Sequence, residues 1–151
     1  MSGTHVDVIP AVHITHTVPV ARERVFKAWI DKQDLQKWFI PDEGYCVLFV
    51  EIDPRKHSKF RIALKDSQGN QHLFGGIYRE FVMSERLDFT CEKNGGGTQQ
   101  HKTFVSVQFF DNNGETKIEL IHDNLSDEKM RDEYEKSWNL MLDRLESYLK
   151  S

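Results

Sequence analysis

The chain has 151 residues, a net charge of −4, 29% charged and 38% hydrophobic residues. That length suits one domain with an ordinary core, and the balance excludes a disordered or fibrous chain. Apolar runs such as Cys46–Val50 are too short to span a bilayer. The scattered lysines and arginines offer neither a basic stripe for nucleic acid nor a polybasic anchor for an anionic membrane.

Met1–Ala11 reads as a flexible arm. It lacks the basic start and apolar core of a signal peptide, so a cytoplasmic location is expected. Val12–Val18 alternates Val/Ile with polar residues, the period of a half-buried strand. Pro19 is expected to open a helix with Val25, Phe26 and Trp29 on its apolar face. Asp31 should cap a second short helix that turns Leu35, Trp38 and Phe39 inward. Pro41–Gly44 ends it.

Six strands are expected next. Tyr45–Ile52 is strongly apolar. Lys59–Lys65 places Phe60, Ile62 and Leu64 on one face. Asp66–Asn70 has hairpin composition, and His72–Phe81 returns with Gly75 and Gly76 suggesting a bulge or bend. Leu87, Phe89 and Cys91 alternate on the following strand, which leads into the glycine-rich Asn94–Thr98, read as a hairpin loop. Thr103–Phe110 sends Val105, Val107 and Phe109 one way, Phe104 and Phe110 the other. Asp111–Gly114 is a tight turn, and Thr116–His122 aligns Ile118, Leu120 and His122.

Ser126–Lys150 then reads as one long helix, capped by Ser126. Its apolar stripe is Met130, Tyr134, Trp138, Met141, Leu145 and Leu149, spaced by three or four. At about 1.5 Å per residue it spans roughly 36 Å, the width of a small domain. Hairpin-type connections make the sheet antiparallel.

Signals for chemistry are few. Cys46 and Cys91 read as two buried thiols, with no C-x-x-C for zinc or redox work. There is no G-x-S-x-G, Walker loop or H-E-x-x-H. Among seven histidines, His13 and His16 point to opposite strand faces, and His72, His101 and His122 converge only if the fold brings them together, so no metal site is expected. Acidic pairs such as Asp42/Glu43 and Asp127/Glu128 fit helix ends better than a carboxylate dyad. His122 shares an inward face and is either a satisfied polar group or a ligand contact. Ten Phe, three Trp and four Tyr leave two readings of the interior: a fully packed core, or a cavity for an apolar ligand.

The stretch Val18–Trp29 followed by Leu35-Gln-Lys-Trp-Phe39 resembles the opening of activator of Hsp90 ATPase homologue-type domains, of the START-like (Bet v 1-like) helix-grip superfamily. Asp66–Asn70, Gly76–Glu80 and Glu85–Thr90 resemble the family's central hairpin, and Glu135–Leu149 its closing helix. The resemblance covers residues 12–150. It implies an α+β helix-grip fold: a seven-stranded antiparallel sheet curved around the C-terminal helix, two short helices after the first strand, and a cavity between sheet and helix. Family members include lipid and polyketide binders, self-resistance proteins and a co-chaperone. Ser137 stands where the family has Gly before the tryptophan, and His57-Ser58 where it often has two glycines. The co-chaperone's chaperone-engaging half has no counterpart in this chain, so the family name is not taken as the function.

The expectation is therefore an arm (residues 1–11) and one helix-grip domain (12–151) that binds a lipid- or polyketide-like small molecule. The candidate lining is Trp38, Phe39, Phe60, Ile62, Phe74, Tyr78, Phe89, Phe109, Leu120, His122, Trp138 and Met141, with Trp38 and Phe39 gating one end. No catalytic residue, metal or cofactor is assigned. The expected oligomeric state is a monomer or weak homodimer. Two alternatives stay open: a cyclase or hydrolase on an aromatic substrate, dependent on His122, and a stress- or chaperone-associated interaction module using an apolar patch around Phe104 and Phe110.

Overall fold

Alternation of apolar and polar residues becomes a sheet of seven antiparallel strands in the computed structural model, which describes residues 9–93 and 102–151. The strands are β1 (Val12–Val18), β2 (Cys46–Ile52), β3 (Lys59–Lys65), β4 (Gln71–Val82), β5 (Arg86–Lys93), β6 (Thr103–Asn112) and β7 (Glu115–Asp123). Their order across the sheet is β1-β7-β6-β5-β4-β3-β2, so only β1–β7 joins strands distant in sequence. Helices α1 (Arg22–Ile30) and α2 (Lys32–Trp38) follow β1, and α3 (Glu128–Lys150) closes the chain. This is the helix-grip fold expected from the sequence. Residues 1–8 of the expected arm, the Asn94–Thr98 loop and His101 lie outside the described residues. Ile9, just before β1, packs against the core.

The core lies where the inward rows of the sheet meet α3. Val105, Val107 and Phe109 of β6, Ile118 and Leu120 of β7, and Trp138, Met141, Leu142 and Leu145 of α3 are all buried. Phe104 and Phe110 point away, and the Arg79 and Lys117 cations lie over their rings. Asn113 and Gly114, both with positive φ (56° and 89°), make the two-residue β6–β7 turn. That geometry suits the twist of a hairpin and favours Asn-Gly.

Three local expectations are corrected. Helix α1 starts at Arg22, not Pro19. The Val20 amide turns back to the Val18 carbonyl (2.8 Å) and Thr116 Oγ1 donates to the Val20 carbonyl (2.7 Å), so these two residues form a bend before the helix. Asp127, not Ser126, caps α3, its carboxylate accepting from the Met130 amide at 2.7 Å. Cys46 is exposed rather than buried, because it begins the edge strand β2.

Two backbone sites shape the sheet's bend. His57, where the family often has glycine, keeps a left-handed φ of 71°; its amide donates to the Tyr78 carbonyl and Tyr78 donates back to Ser58. Gly76 sits between Phe74 and Tyr78 on the inward row of β4. A Cβ there would lie 1.8 Å from the Thr90 carbonyl oxygen, so no other residue fits without parting β4 from β5.

The three helices are tied together by one buried carboxylate. Asp34 of α2 accepts two hydrogen bonds from the Arg24 guanidinium of α1 (2.9 and 3.1 Å) and one from the Tyr148 hydroxyl of α3 (2.5 Å). Burial pushes the Asp34 pKa up, but these bonds outweigh it and hold the carboxyl below its ordinary value.

Candidate functional site: a cleft between sheet and helix

Trp138 stands at the centre of the site. Its indole N–H donates to His122 Nδ1 at 3.0 Å, and His122 Nε2 lies 2.7 Å from Thr103 Oγ1. The single hydroxyl hydrogen of Thr103 goes to the Cys91 carbonyl at 3.1 Å. An indole can only donate, so Nδ1 must be the bare nitrogen and Nε2 must carry the hydrogen that Thr103 accepts. The ring is therefore neutral, every polar atom in the run is satisfied, and burial lowers the His122 pKa to about 4. A histidine with both nitrogens occupied has none left for a substrate proton.

The opposite face of Trp138 meets other aromatics. Trp29 of α1 stacks on it (centroids 5.9 Å, 20° between planes), and Phe39 meets it edge-on at 6.1 Å. Phe39 also packs against Phe74 at 6.0 Å. Deeper in, Phe60 contacts Tyr78 at 5.3 Å and Phe89 at 5.4 Å.

Two spaces that share wall residues lie among these rings. The outer cleft is about 500 Å³ and runs between the first half of α3 and the α2–β2 loop. Phe39, Tyr45, Phe74, Tyr134, Trp138 and Met141 line it, and Asp42, Asp127, Lys129, Glu133 and Lys136 form a rim of mixed charge. The inner recess is about 30 Å³, walled by residues such as Trp29, Phe60, Ile62, Tyr78, Phe89 and Trp138, with no charged side chain. Phe39, Phe74, Cys91 and Trp138 belong to both walls. A third hollow of about 460 Å³ lies over β2–β5 against the exposed Glu51, Lys59 and Arg61.

Of the residues singled out from the sequence, Phe39, Phe74, Trp138 and Met141 reach the outer cleft, and Phe60, Ile62, Tyr78 and Phe89 the recess. Trp38, Phe109, Leu120 and His122 stand outside both walls, each at most 2% exposed in the packed core. The Trp38 indole donates to the Ala28 carbonyl at 2.9 Å, pinning α2 to α1. Sequence reasoning missed Trp29, Tyr45, Tyr134 and the charged rim. The sequence places Trp29 only on a helix's apolar face. The available signal was that a buried indole N–H needs a partner, and the sequence near it names none.

Among the described residues no group of three His, Cys, Asp or Glu could hold a metal ion. No helix among them is long and apolar enough to cross a membrane.

Residues 19–150 match the profile of the family described as activator of Hsp90 ATPase homolog 1-like protein. The chain belongs to that family. Its fold is shared by a Chromobacterium violaceum protein (TM-score 0.83, 22% identity, covering 93% of this chain and 97% of that one). The same holds for the AHSA1 protein of Silicibacter pomeroyi (TM-score 0.80, 19% identity, 93% and 97% covered). DynU16, a protein in the dynemicin biosynthetic locus, aligns over 93% of this chain but 47% of its own (TM-score 0.75, 15% identity). At these identities the likeness concerns the fold alone. No curated protein matches the chain in sequence.

Proposed function

We propose that this family member binds an apolar or amphipathic small molecule in the cleft between the sheet and α3. The supporting observation is the 500 Å³ outer cleft, aromatic within and charged only at its rim. Small-molecule sites have that volume and that division between apolar wall and a few polar groups. Burying ligand surface there contributes about 25 cal/mol per Å². The rim carries Lys129 and Lys136 against Asp42, Asp127 and Glu133. It has no excess of cations, which favours neutral or weakly charged ligands over polyphosphates. The position of DynU16 in a biosynthetic locus is compatible with a polyketide-like ligand. Binding rather than catalysis is favoured because His122 is fully engaged by Trp138 and Thr103.

The test is equilibrium binding of 8-anilinonaphthalene-1-sulfonate, an amphipathic probe, together with native mass spectrometry of the purified protein. A saturable single site is expected. Phe74→Trp, which adds bulk to the wall shared by both spaces, should weaken it about tenfold while thermal unfolding stays cooperative. Unchanged affinity in a folded Phe74→Trp protein would remove the cleft as the site.

A further inference from the structure

A sheet that does not close has two edges, and here they are β1 and β2. An edge strand presents a row of unpaired backbone amides and carbonyls, which proteins shield with proline and with polar or charged side chains. The β1 edge is shielded in that way: Pro10 precedes it, and its exposed positions are His13, Thr15 and Thr17. The β2 edge is not. Its sequence, Cys-Val-Leu-Phe-Val-Glu-Ile, holds no proline and one charge, and its exposed residues are Cys46, Leu48, Phe49 and Glu51. Leu48 is 43% and Phe49 40% exposed. Among the described residues, no backbone hydrogen bond outside the β2–β3 ladder reaches residues 46–52. We propose that β2 is a self-association surface: two copies of this chain pair their β2 strands antiparallel about a two-fold axis at Phe49, joining two seven-stranded sheets into one.

A second copy fits this edge in geometry and in charge. Unpaired strand groups are satisfied by another strand, and identical strands related by a two-fold axis run antiparallel. Each such pairing sets one residue opposite itself. Phe49 is the midpoint of Cys46–Ile52, so an axis there pairs the whole strand, with Leu48 opposite Val50, Val47 opposite Glu51 and Cys46 opposite Ile52. The two Phe49 rings then form an aromatic cross-strand pair, where a lone copy leaves its ring to solvent. The net charge of −4 opposes the approach of two copies in general. At this edge the single charge, Glu51, is already paired with Arg61 of β3, whose guanidinium lies over the Phe49 ring. With the axis at Phe49 the two Glu51 residues stand four positions apart along the strands, about 13 Å, so no like charges face each other. The register shift between Val47 and Phe49 adds twist to β2. A bulge can turn an edge away from partners, but this one leaves the apolar Leu48 exposed rather than a charge.

A single edge pairing is a small interface of the weak class, so a dissociation constant of about 10–100 µM is expected. Sedimentation equilibrium of the full chain from about 5 to about 500 µM should show a reversible monomer–dimer transition. Phe49→Lys, which sets two cations face to face on the axis, should weaken it about tenfold or more. Ile121→Lys, at a residue 37% exposed on β7, should leave it unchanged. Hydrogen exchange of the wild-type protein gives a readout that does not depend on a variant folding. Over the same concentrations the outward amides of β2 should slow about threefold, and those of β1 should not change. A protein that stays monomeric across that range would overturn the inference. So would a dimer that Ile121→Lys disrupts and Phe49→Lys spares, or β2 amides indifferent to concentration. None of these outcomes bears on the ligand reading, because the pairing does not use the cleft.

Discussion

His122 keeps its place by staying neutral. In the unfolded chain an imidazole titrates near 6.5, whereas burial lowers this one to about 4. Between those values the unfolded chain binds a proton that the folded chain refuses, so stability falls as pH falls through that window. The slope is about 1.4 kcal/mol per pH unit, or about 3 kcal/mol across the window. Urea unfolding between pH 7 and 4 should show this loss, and His122→Gln, less stable at pH 7, should flatten the dependence. His57 offers an opposite expectation. Its φ of 71° is costly for any residue with a Cβ. His57→Gly should raise stability by about 0.5–1 kcal/mol in the same assay, since the strain relieved exceeds the entropy that glycine adds to the unfolded chain. At this scale the sequence was half legible. Alternation along β7 turned His122 inward, but its partners come from β6 and α3, residues 19 and 16 positions away. No local pattern names such partners.

Elements were legible to within a few residues because their signals are local: period two in the strands, three to four in α3, Asp31 before α2. The errors came where tertiary contacts override a local preference. Pro19 is a good first helical residue, yet Thr116 holds the adjoining Val20 carbonyl and delays α1. Ser126 and Asp127 are both competent caps, and only the geometry selects the second. How the helices hold one another was not legible at all. Asp34 joins α1, α2 and α3, and its side chain is 7% exposed. Asp34→Ala would leave the Tyr148 hydroxyl and the Arg24 guanidinium without their acceptor, and should cost about 2 kcal/mol, the half-exposed Arg24 tempering the loss. Glu51→Ala, which breaks the exposed Arg61 pair between β2 and β3, should cost less than about 0.5 kcal/mol. Chemical denaturation of the two variants side by side decides this.

For the whole molecule, the seven-stranded antiparallel sheet was implied by the family resemblance, and the strand order follows from hairpins everywhere except β1–β7. The cleft was not legible in the same way. Aromatic content left both a packed core and a cavity open, and the structure divides it between the two: Trp38, Phe109 and Leu120 pack solidly while Phe39, Phe74 and Trp138 stand against open space. Because the cleft is built from β4, β5, α3 and the α2–β2 loop together, only the folded chain can bind there. A ligand at about 100 times its Kd should therefore raise unfolding stability by about 2.7 kcal/mol, seen as a concentration-dependent rise in Tm. A Tm indifferent to a saturating ligand would place binding elsewhere or in the unfolded chain.

The stacking of Trp29 on Trp138 and its approach to Trp38, with centroids 4.8 Å apart, gathers every indole of the protein into one cluster. The chain's tryptophan emission therefore comes from one cluster, with Trp29 and Trp138 on the recess wall and Trp38 packed behind them. Rings this close couple their excited states, so the near-ultraviolet circular dichroism should carry an exciton signature of the closed wall. The protein thus brings its own optical gauge, able to follow occupancy in unlabelled material and to separate a ligand that parts the rings from one that only covers them.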